Sequence, residues 1–267
     1  MLIAENYYKS VRDGTFNSLR NLTKHLRESF IIFHQLLFGI TTMAPLQFGV
    51  LMVPYQIIDV AGPLDVLSSC SKALIKNLEA VGFPGSEGMT EKAVNIEFHH
   101  INETMDPVIL TANMRALPTT TCDLCPPLDS LLVGGPDPTK FQLSDRFAEF
   151  LRSHVTAGKV LFTSCTGALA VSPSGILDGK NATVNHGVLE MAKKISPNVK
   201  WTKKQWVVDG NIWTAGGACA GMDMMAQWVM QNYGMDVAKL GFHTLDYEPR
   251  DVDGNRVLPQ QHGVATA

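Results

Sequence analysis

What this 267-residue chain lacks narrows its function before any motif is read. No apolar run approaches the roughly 18 residues that a spanning helix needs; the most apolar stretch, 30–40, is broken by His34 and Gln35. Basic residues do not exceed acidic ones, and the net charge of −3 leaves no basic excess for a nucleic-acid footprint. No Gly-x-Gly-x-x-Gly fingerprint, phosphate loop or metal triad is visible, so no cofactor and no metal are expected. The five cysteines are an odd number in a chain too large to need staples. Cys122 and Cys125 form one Cys-x-x-Cys with no second pair. A structural zinc wants four ligands, and Pro126-Pro127 follow where a redox pair would want a helix start, so this motif is incidental. Repeats and low-complexity segments are absent. With 45% hydrophobic and 18% charged residues, the chain describes a globular protein with reduced thiols in a cytoplasmic compartment, and with no membrane or nucleic-acid partner.

What is there centres on Val160 to Gly179. Val160–Phe162 reads as a short buried strand bounded by Gly158. It turns at Thr163–Gly167 and continues as a helix from about Gly167 to Leu177. Small residues (Thr163, Gly167, Ala168, Ala170) crowd the turn, as a tight strand-to-helix elbow requires. Such an elbow pushes one side chain, here Cys165, out at the carboxyl end of a sheet. A helix N-terminus there favours its thiolate, the reactive form. The competing reading of Cys165 is a small buried hydrophobe.

Leu46–Val53 is a near-continuous apolar run, suited to a parallel strand buried on both faces. Gly62-Pro63 then starts a helix whose apolar face carries Leu64, Leu67, Leu74 and Leu78. Asp59 falls in the intervening loop, at the carboxyl end of strand one, where open α/β sheets bind ligands. Strand-like pieces follow at 95–101 and 108–111. Leu128–Val133 is a further buried strand, ended by Gly134-Gly135-Pro136, where a glycine pair lets the backbone approach a ligand. A helix from about Lys140 to Thr156 presents Phe147, Phe150, Leu151 and Val155. Later, 206–213 reads as a hairpin around Asp209-Gly210, and Cys219–Tyr233 as a long helix capped by Gly234. Alternating strands and helices predict a three-layer α/β/α sandwich around a mostly parallel sheet.

Ser164-Cys165-Thr166-Gly167-Ala168-Leu169, with Gly175–Lys180 and Ala182-Thr183, resembles the elbow of the ThiJ/PfpI superfamily, which has the class I glutamine amidotransferase-like (flavodoxin-like) fold. Asp59–Val66, Leu131–Pro136 and Thr214–Asp223 agree in order and spacing. The Cys165-Thr166 pair, with Asp59 in the first strand–helix loop, is similar to the isonitrile-hydrating members of that superfamily.

The resemblance implies catalytic roles for Cys165, Asp59 and Thr166. It implies an oxyanion hole made by the Thr166 N–H with that of Gly134 or Gly135. Many relatives carry a histidine where this chain has Asn185, with His186 one residue later. Adjacent strand residues face opposite ways, so His186 does not inherit a base role and instead caps the helix beginning there. Asn185, His186 and Asp223 are supporting candidates. A small-molecule substrate and a homodimer are implied too. The implied reaction is hydration of an isonitrile to an N-substituted formamide. The alternatives are a glyoxalase or deglycase acting on methylglyoxal-type carbonyls, or a redox-sensing or chaperone-like protein whose Cys165 is oxidised. The domain is expected at 43–250. Residues 1–42 form an extension without counterpart in the resemblance, an organellar presequence not being excluded, and 251–267 form a disordered polar tail.

Overall fold

A computed structural model of the chain describes residues 44–258; the 1–42 extension and the end of the expected tail lie outside them. Residues 45–258 belong to one compact unit. Strand β1 (Leu46–Leu51) leads into helices α1 (Ile57–Ser68) and α2 (Lys72–Ala80). Next come β2 (Ile96–Asn102) and three two-residue strands, β3 (Val108–Ile109), β4 (Arg115–Ala116) and β5 (Thr120–Thr121). β6 (Ser130–Val133), α3 (Asp145–Thr156), β7 (Val160–Ser164) and α4 (Gly167–Val171) form the middle. β8 (Asn181–Ala182), α5 (Leu189–Ile195), β9 (Lys200–Trp201), β10 (Trp206–Asp209), β11 (Ile212–Ala215), α6 (Ala218–Tyr233) and α7 (Met235–Thr244) complete it.

The main sheet has seven strands in the order β10-β11-β7-β6-β1-β2-β5. Its pairings are parallel except the β10–β11 hairpin, which turns at Asp209-Gly210 as expected. Helices flank the sheet: α1 packs on α6, and α6 on α7, while α3 packs by β7 and the turn after α4. This is the expected mostly parallel α/β fold. Phe48, Val50, Leu51, Leu131, Leu132, Val133, Leu161 and Phe162 are buried, as continuous apolar strands covered on both faces must be.

The topology fixes where a site can form. The chain leaves β1 toward β2 and returns on its other side through β6 and β7. The crevice at the carboxyl ends of β1 and β6 is therefore the switch point of the sheet. The register makes those ends level: Val50 pairs with Leu132, Val133 with Thr163, and Ser164 with Ala215.

Several boundaries differ from expectation, each for a local reason. The helix expected to begin at Gly62-Pro63 begins at Ile57, so Pro63 lies inside α1 and Asp59 sits in its first turn, not in a loop. The stripe from Leu64 to Leu78 belongs to two helices. Ser71 breaks it by accepting the Leu74 N–H at 3.3 Å as the N-cap of α2, while the Lys72 N–H donates to Val94 O at 2.8 Å. Helix α3 begins at Asp145 rather than Lys140, because Ser144 caps it through the Phe147 N–H. The elbow helix stops at Val171 and not Leu177. Pro173 has no N–H for the Leu169 carbonyl, and the Ser172 hydroxyl takes that acceptor at 2.8 Å. The tail is ordered through Leu258: Asp251 Oδ1 accepts the N–H groups of Asp253 and Asn255 at 2.9 and 2.8 Å. Among the described residues no helix is long and apolar enough to cross a membrane.

Candidate active site

Cys165 follows β7 with φ of 58°, a left-handed conformation that costs a non-glycine residue about 1–3 kcal/mol. Two backbone bonds hold it there. Its N–H donates to Ala215 O at 3.0 Å, and its carbonyl accepts the Asn185 N–H at 3.0 Å. Small neighbours allow the reversal, since a Cβ on Gly167 would lie 2.5 Å from Val133 O, and one on Gly221 would lie 2.5 Å from Ser164 Oγ. The expected elbow is present, and all five cysteines are unpaired.

Asp59 reaches this elbow from α1. It is fully buried, and its Oδ2 accepts the Gly135 N–H at 3.0 Å. Its Oδ1 has no hydrogen-bond partner of ordinary geometry. Cys165 approaches the carboxyl closely enough to draw its pKa down, a near contact rather than a formed bond. Burial nonetheless dominates and pushes Asp59 up to about 6. The Cys165 thiol is also pushed above its ordinary value, first by burial and then by the Asp59 charge; Asn185 and the Thr166 N–H act the other way. The thiolate expected from a helix N-terminus is thus not the resting form. Helix α4 is five residues long, and its first N–H does not offset desolvation. At neutral pH the pair rests as carboxylate and thiol.

The glycine turn lies against both groups. A Cβ on Gly135 would fall 2.6 Å from Thr166 N and 2.9 Å from Asp59 Oδ2; one on Gly134 would fall 2.7 Å from Val60 Cγ2. The Gly135 N–H, one of the two anticipated oxyanion donors, is already given to Asp59. The Thr166 hydroxyl donates to Pro136 O at 2.6 Å, which leaves the Thr166 N–H directed at Cys165.

The supporting candidates divide. Asn185 Nδ2 donates to Cys165 Sγ at 3.3 Å, and its Oδ1 accepts the Gly187 N–H at 2.9 Å. Asn185, not His186, is therefore the cap of the following turn. His186 is exposed and its Nε2 contacts Lys204 O at 3.0 Å, away from the sulfur. Asp223 binds the Tyr247 hydroxyl and, at 3.0 Å, the Arg250 N–H. It ties the chain after α7 to α6 and makes no hydrogen bond to Cys165.

Two contributors escaped the sequence. Gln56 offers no side-chain cap to α1; instead the Ile57 N–H donates to Thr111 Oγ1 at 3.0 Å, and the Thr111 N–H to Tyr55 O at 3.3 Å. Nothing in sequence links positions 54 residues apart. Ala215 O, which holds the elbow, is equally invisible. Asn185-His186-Gly187 was legible as an Asx-type turn.

The chain belongs to the DJ-1/PfpI family, whose sequence profile matches residues 92–231. That span includes every site candidate except Asp59, whose place rests on the geometry above. The chain is 29% identical over 209 residues to the isonitrile hydratase of Pseudomonas putida, covering 76% of this chain and 79% of that one. It is 25% identical over 154 residues to the HTH-type transcriptional regulator GbdR of Pseudomonas aeruginosa, covering 57% of this chain and 42% of the regulator. The crystal structure of a ThiJ/PfpI family protein from Pseudomonas syringae superposes with a TM-score of 0.60 at 20% identity, over 80% of each chain, and shares the fold.

Proposed function

We propose that this protein is a hydro-lyase that adds water to an isonitrile to give an N-substituted formamide. The observation that carries the reading is the buried Asp59–Cys165 pair, a carboxylate with pKa about 6 beside a protonated thiol. The similarity to an isonitrile hydratase supports the choice of reaction. An isonitrile offers an electrophilic terminal carbon and no oxygen, so the enzyme must supply nucleophile, proton and water.

The thiol proton passes to Asp59 as sulfur attacks the terminal carbon, and Asp59 returns that proton to the same carbon. The product is a thioimidate, an instance of covalent catalysis. A carboxyl with pKa near working pH suits both directions of transfer. Asp59 then takes a proton from water as hydroxide adds to the thioimidate carbon, and delivers it to nitrogen. Collapse forms the formamide carbonyl, breaks the C–S bond and returns the hydroxyl proton to sulfur. The Thr166 N–H and Asn185 Nδ2 stabilise the developing thiolate by donating to it. Gly135 acts by orienting Asp59, and Gly134 by letting the turn close on Tyr55 and Val60.

A small-molecule substrate, no resident cofactor and a homodimer belong to the same reading; sedimentation tests the last. The test of the reaction is conversion of cyclohexyl isocyanide to N-cyclohexylformamide, followed by chromatography, with Cys165→Ser as the blank. No formamide above that blank overturns the proposal. A second reading, a sensor domain without catalysis, draws on the similarity to a transcriptional regulator. Selective oxidation of Cys165 by peroxide with no turnover would favour it.

A further inference from the structure

The Cys122-x-x-Cys125 motif has no helix start in sequence, but the fold supplies a turn in its place. The N–H groups of Leu124 and Cys125 both donate to Thr121 O, at 3.1 and 2.9 Å, and the Cys122 N–H donates to Asn102 O at 3.0 Å. One turn of helix therefore stands at the end of β5, an edge strand of the main sheet, and Pro126-Pro127 follow it without entering it. Residues three apart on such a turn lie side by side, with Cβ atoms about 5–6 Å apart; a disulfide takes about 3.5–4.5 Å. The small approach needed falls on an open turn, since Asp123 and Leu124 are both exposed. Both thiols are half-buried and unpaired, and a charge on Cys122 is felt at Cys125. Charged groups distinguish the two. Arg146, in the first turn of α3, pairs with Asp123 and lies close to the Cys122 sulfur. Burial raises the Cys122 thiol most; the Arg146 guanidinium opposes it, and the Glu103 and Asp123 charges add to it more weakly. Arg146 Nε is buried without a hydrogen-bond partner, a donor that a negative sulfur beside it can use. Cys125 is pushed up to about 11, by burial and then by Cys122.

We propose that Cys122 and Cys125 form a dithiol–disulfide couple, a second thiol centre that exchanges with a low-molecular-weight disulfide. Cys122, the sulfur beside the guanidinium, attacks first. It bonds to one sulfur of the small disulfide, whose S–S bond breaks, and the departing thiolate takes up the Cys122 proton. The Cys125 sulfur then attacks Cys122 in the mixed disulfide. The intramolecular S–S bond forms, and the second small thiol leaves with the Cys125 proton. Two protein thiols are oxidised and one external disulfide is reduced to two thiols. The couple uses neither Cys165 nor Asp59 and stands apart from the isonitrile reaction.

The test incubates the whole protein with excess oxidised glutathione, quenches with acid, blocks free thiols with iodoacetamide and digests with trypsin. Residues 116–140 make one tryptic peptide that holds both cysteines. The disulfide therefore reads as that peptide lighter by two hydrogens and free of carbamoylmethyl groups. It should become the major form of the peptide and return to the dithiol on adding reduced glutathione. In Cys125→Ser, Cys122 should stop at the mixed disulfide with glutathione. In Cys122→Ser, Cys125 should react about fivefold or more slowly than Cys122 does, because its thiolate is scarcer. Arg146→Gln should slow the first step about threefold or more, and Arg146→Lys should restore part of that rate by keeping the charge. A peptide that emerges with two carbamoylmethyl groups, or with glutathione on each cysteine and no ring closure, overturns the proposal. An unchanged first step in Arg146→Gln overturns the part given to the guanidinium.

Discussion

The Gly135 N–H points at Asp59 Oδ2, 3.0 Å away, so the turn after β6 spends its donor on the carboxylate that α1 delivers from the other side of the switch point. The same glycine has no room for a side chain, being wedged between Thr166 and Asp59. Strand ends that are level in the sheet thereby converge on one buried acid and one strained cysteine.

Gly135→Ala follows directly. Its Cβ would meet Thr166 N at 2.6 Å and Asp59 Oδ2 at 2.9 Å, with backbone on one side and a buried carboxyl on the other. The substitution should abolish turnover and lower the melting temperature by several degrees, at about 2–4 °C per kcal/mol for a domain of this size. Wild-type activity in Gly135→Ala would mean that the turn is not packed as described.

Asp59→Asn should separate thiol reactivity from catalysis. The Asp59 charge raises the Cys165 pKa, so removing it lowers that pKa and enlarges the thiolate fraction at pH 7–8. Alkylation of Cys165 by iodoacetamide should therefore quicken, while turnover falls about 10²-fold or more, the scale of a lost acid–base group. Slower alkylation would show that the carboxylate activates the thiol in the ground state.

The same substitution should stabilise the protein. Asp59 is raised from 3.8 to about 6 by burial, so the folded state holds this proton more tightly than the unfolded chain. Its contribution to stability is present below the unfolded pKa and is lost as pH rises toward 6, by up to about 3 kcal/mol. Thermal denaturation at pH 7.5 should give a higher melting temperature for Asp59→Asn than for wild type, with the gain shrinking toward pH 4. A lower melting temperature at pH 7.5 would show that the carboxylate is a stabilising group.

His186→Ala and Asn185→Ala should part company. His186 faces Lys204 O, whereas Asn185 donates to the sulfur. Turnover should hardly change in His186→Ala. It should fall in Asn185→Ala, with the Cys165 pKa rising further as a stabilising donor is lost. Equal losses would mean that the histidine reaches the site during the reaction.

Much of this was legible in sequence because it was written in local chemistry. The buried strands read as apolar runs, the β10–β11 turn as Asp209-Gly210, and the elbow as a crowd of small residues around Cys165. What was not legible depended on through-space partners. Asp59 was placed in a loop because Gly62-Pro63 resembled a helix start; α1 begins earlier because Thr111 and Gly135 satisfy the backbone of 55–57 from outside. The Cys165 titration was misjudged because helix position can be read from sequence, while burial and the charge of a residue 106 positions earlier cannot. The Gly135 N–H was anticipated at the site, but not its engagement by Asp59. Asp223 was anticipated as a supporting residue of the site, and its partners, the Tyr247 hydroxyl and the Arg250 N–H, lie 24 and 27 residues further along the chain.

The central claim is that Asp59 and Cys165 act together on an isonitrile carbon, and its most direct test is a comparison of kcat/KM for cyclohexyl isocyanide and for methylglyoxal. Both products are quantified by chromatography, with Cys165→Ser as the blank. A dicarbonyl isomerisation moves protons between adjacent carbons and usually wants a second base, but His186, the histidine beside the Asn185 that contacts the sulfur, is turned toward Lys204 O. The account predicts formamide formation at the higher kcat/KM, lost in Cys165→Ser and reduced about 10²-fold or more in Asp59→Asn. Robust lactate formation with no formamide would contradict it.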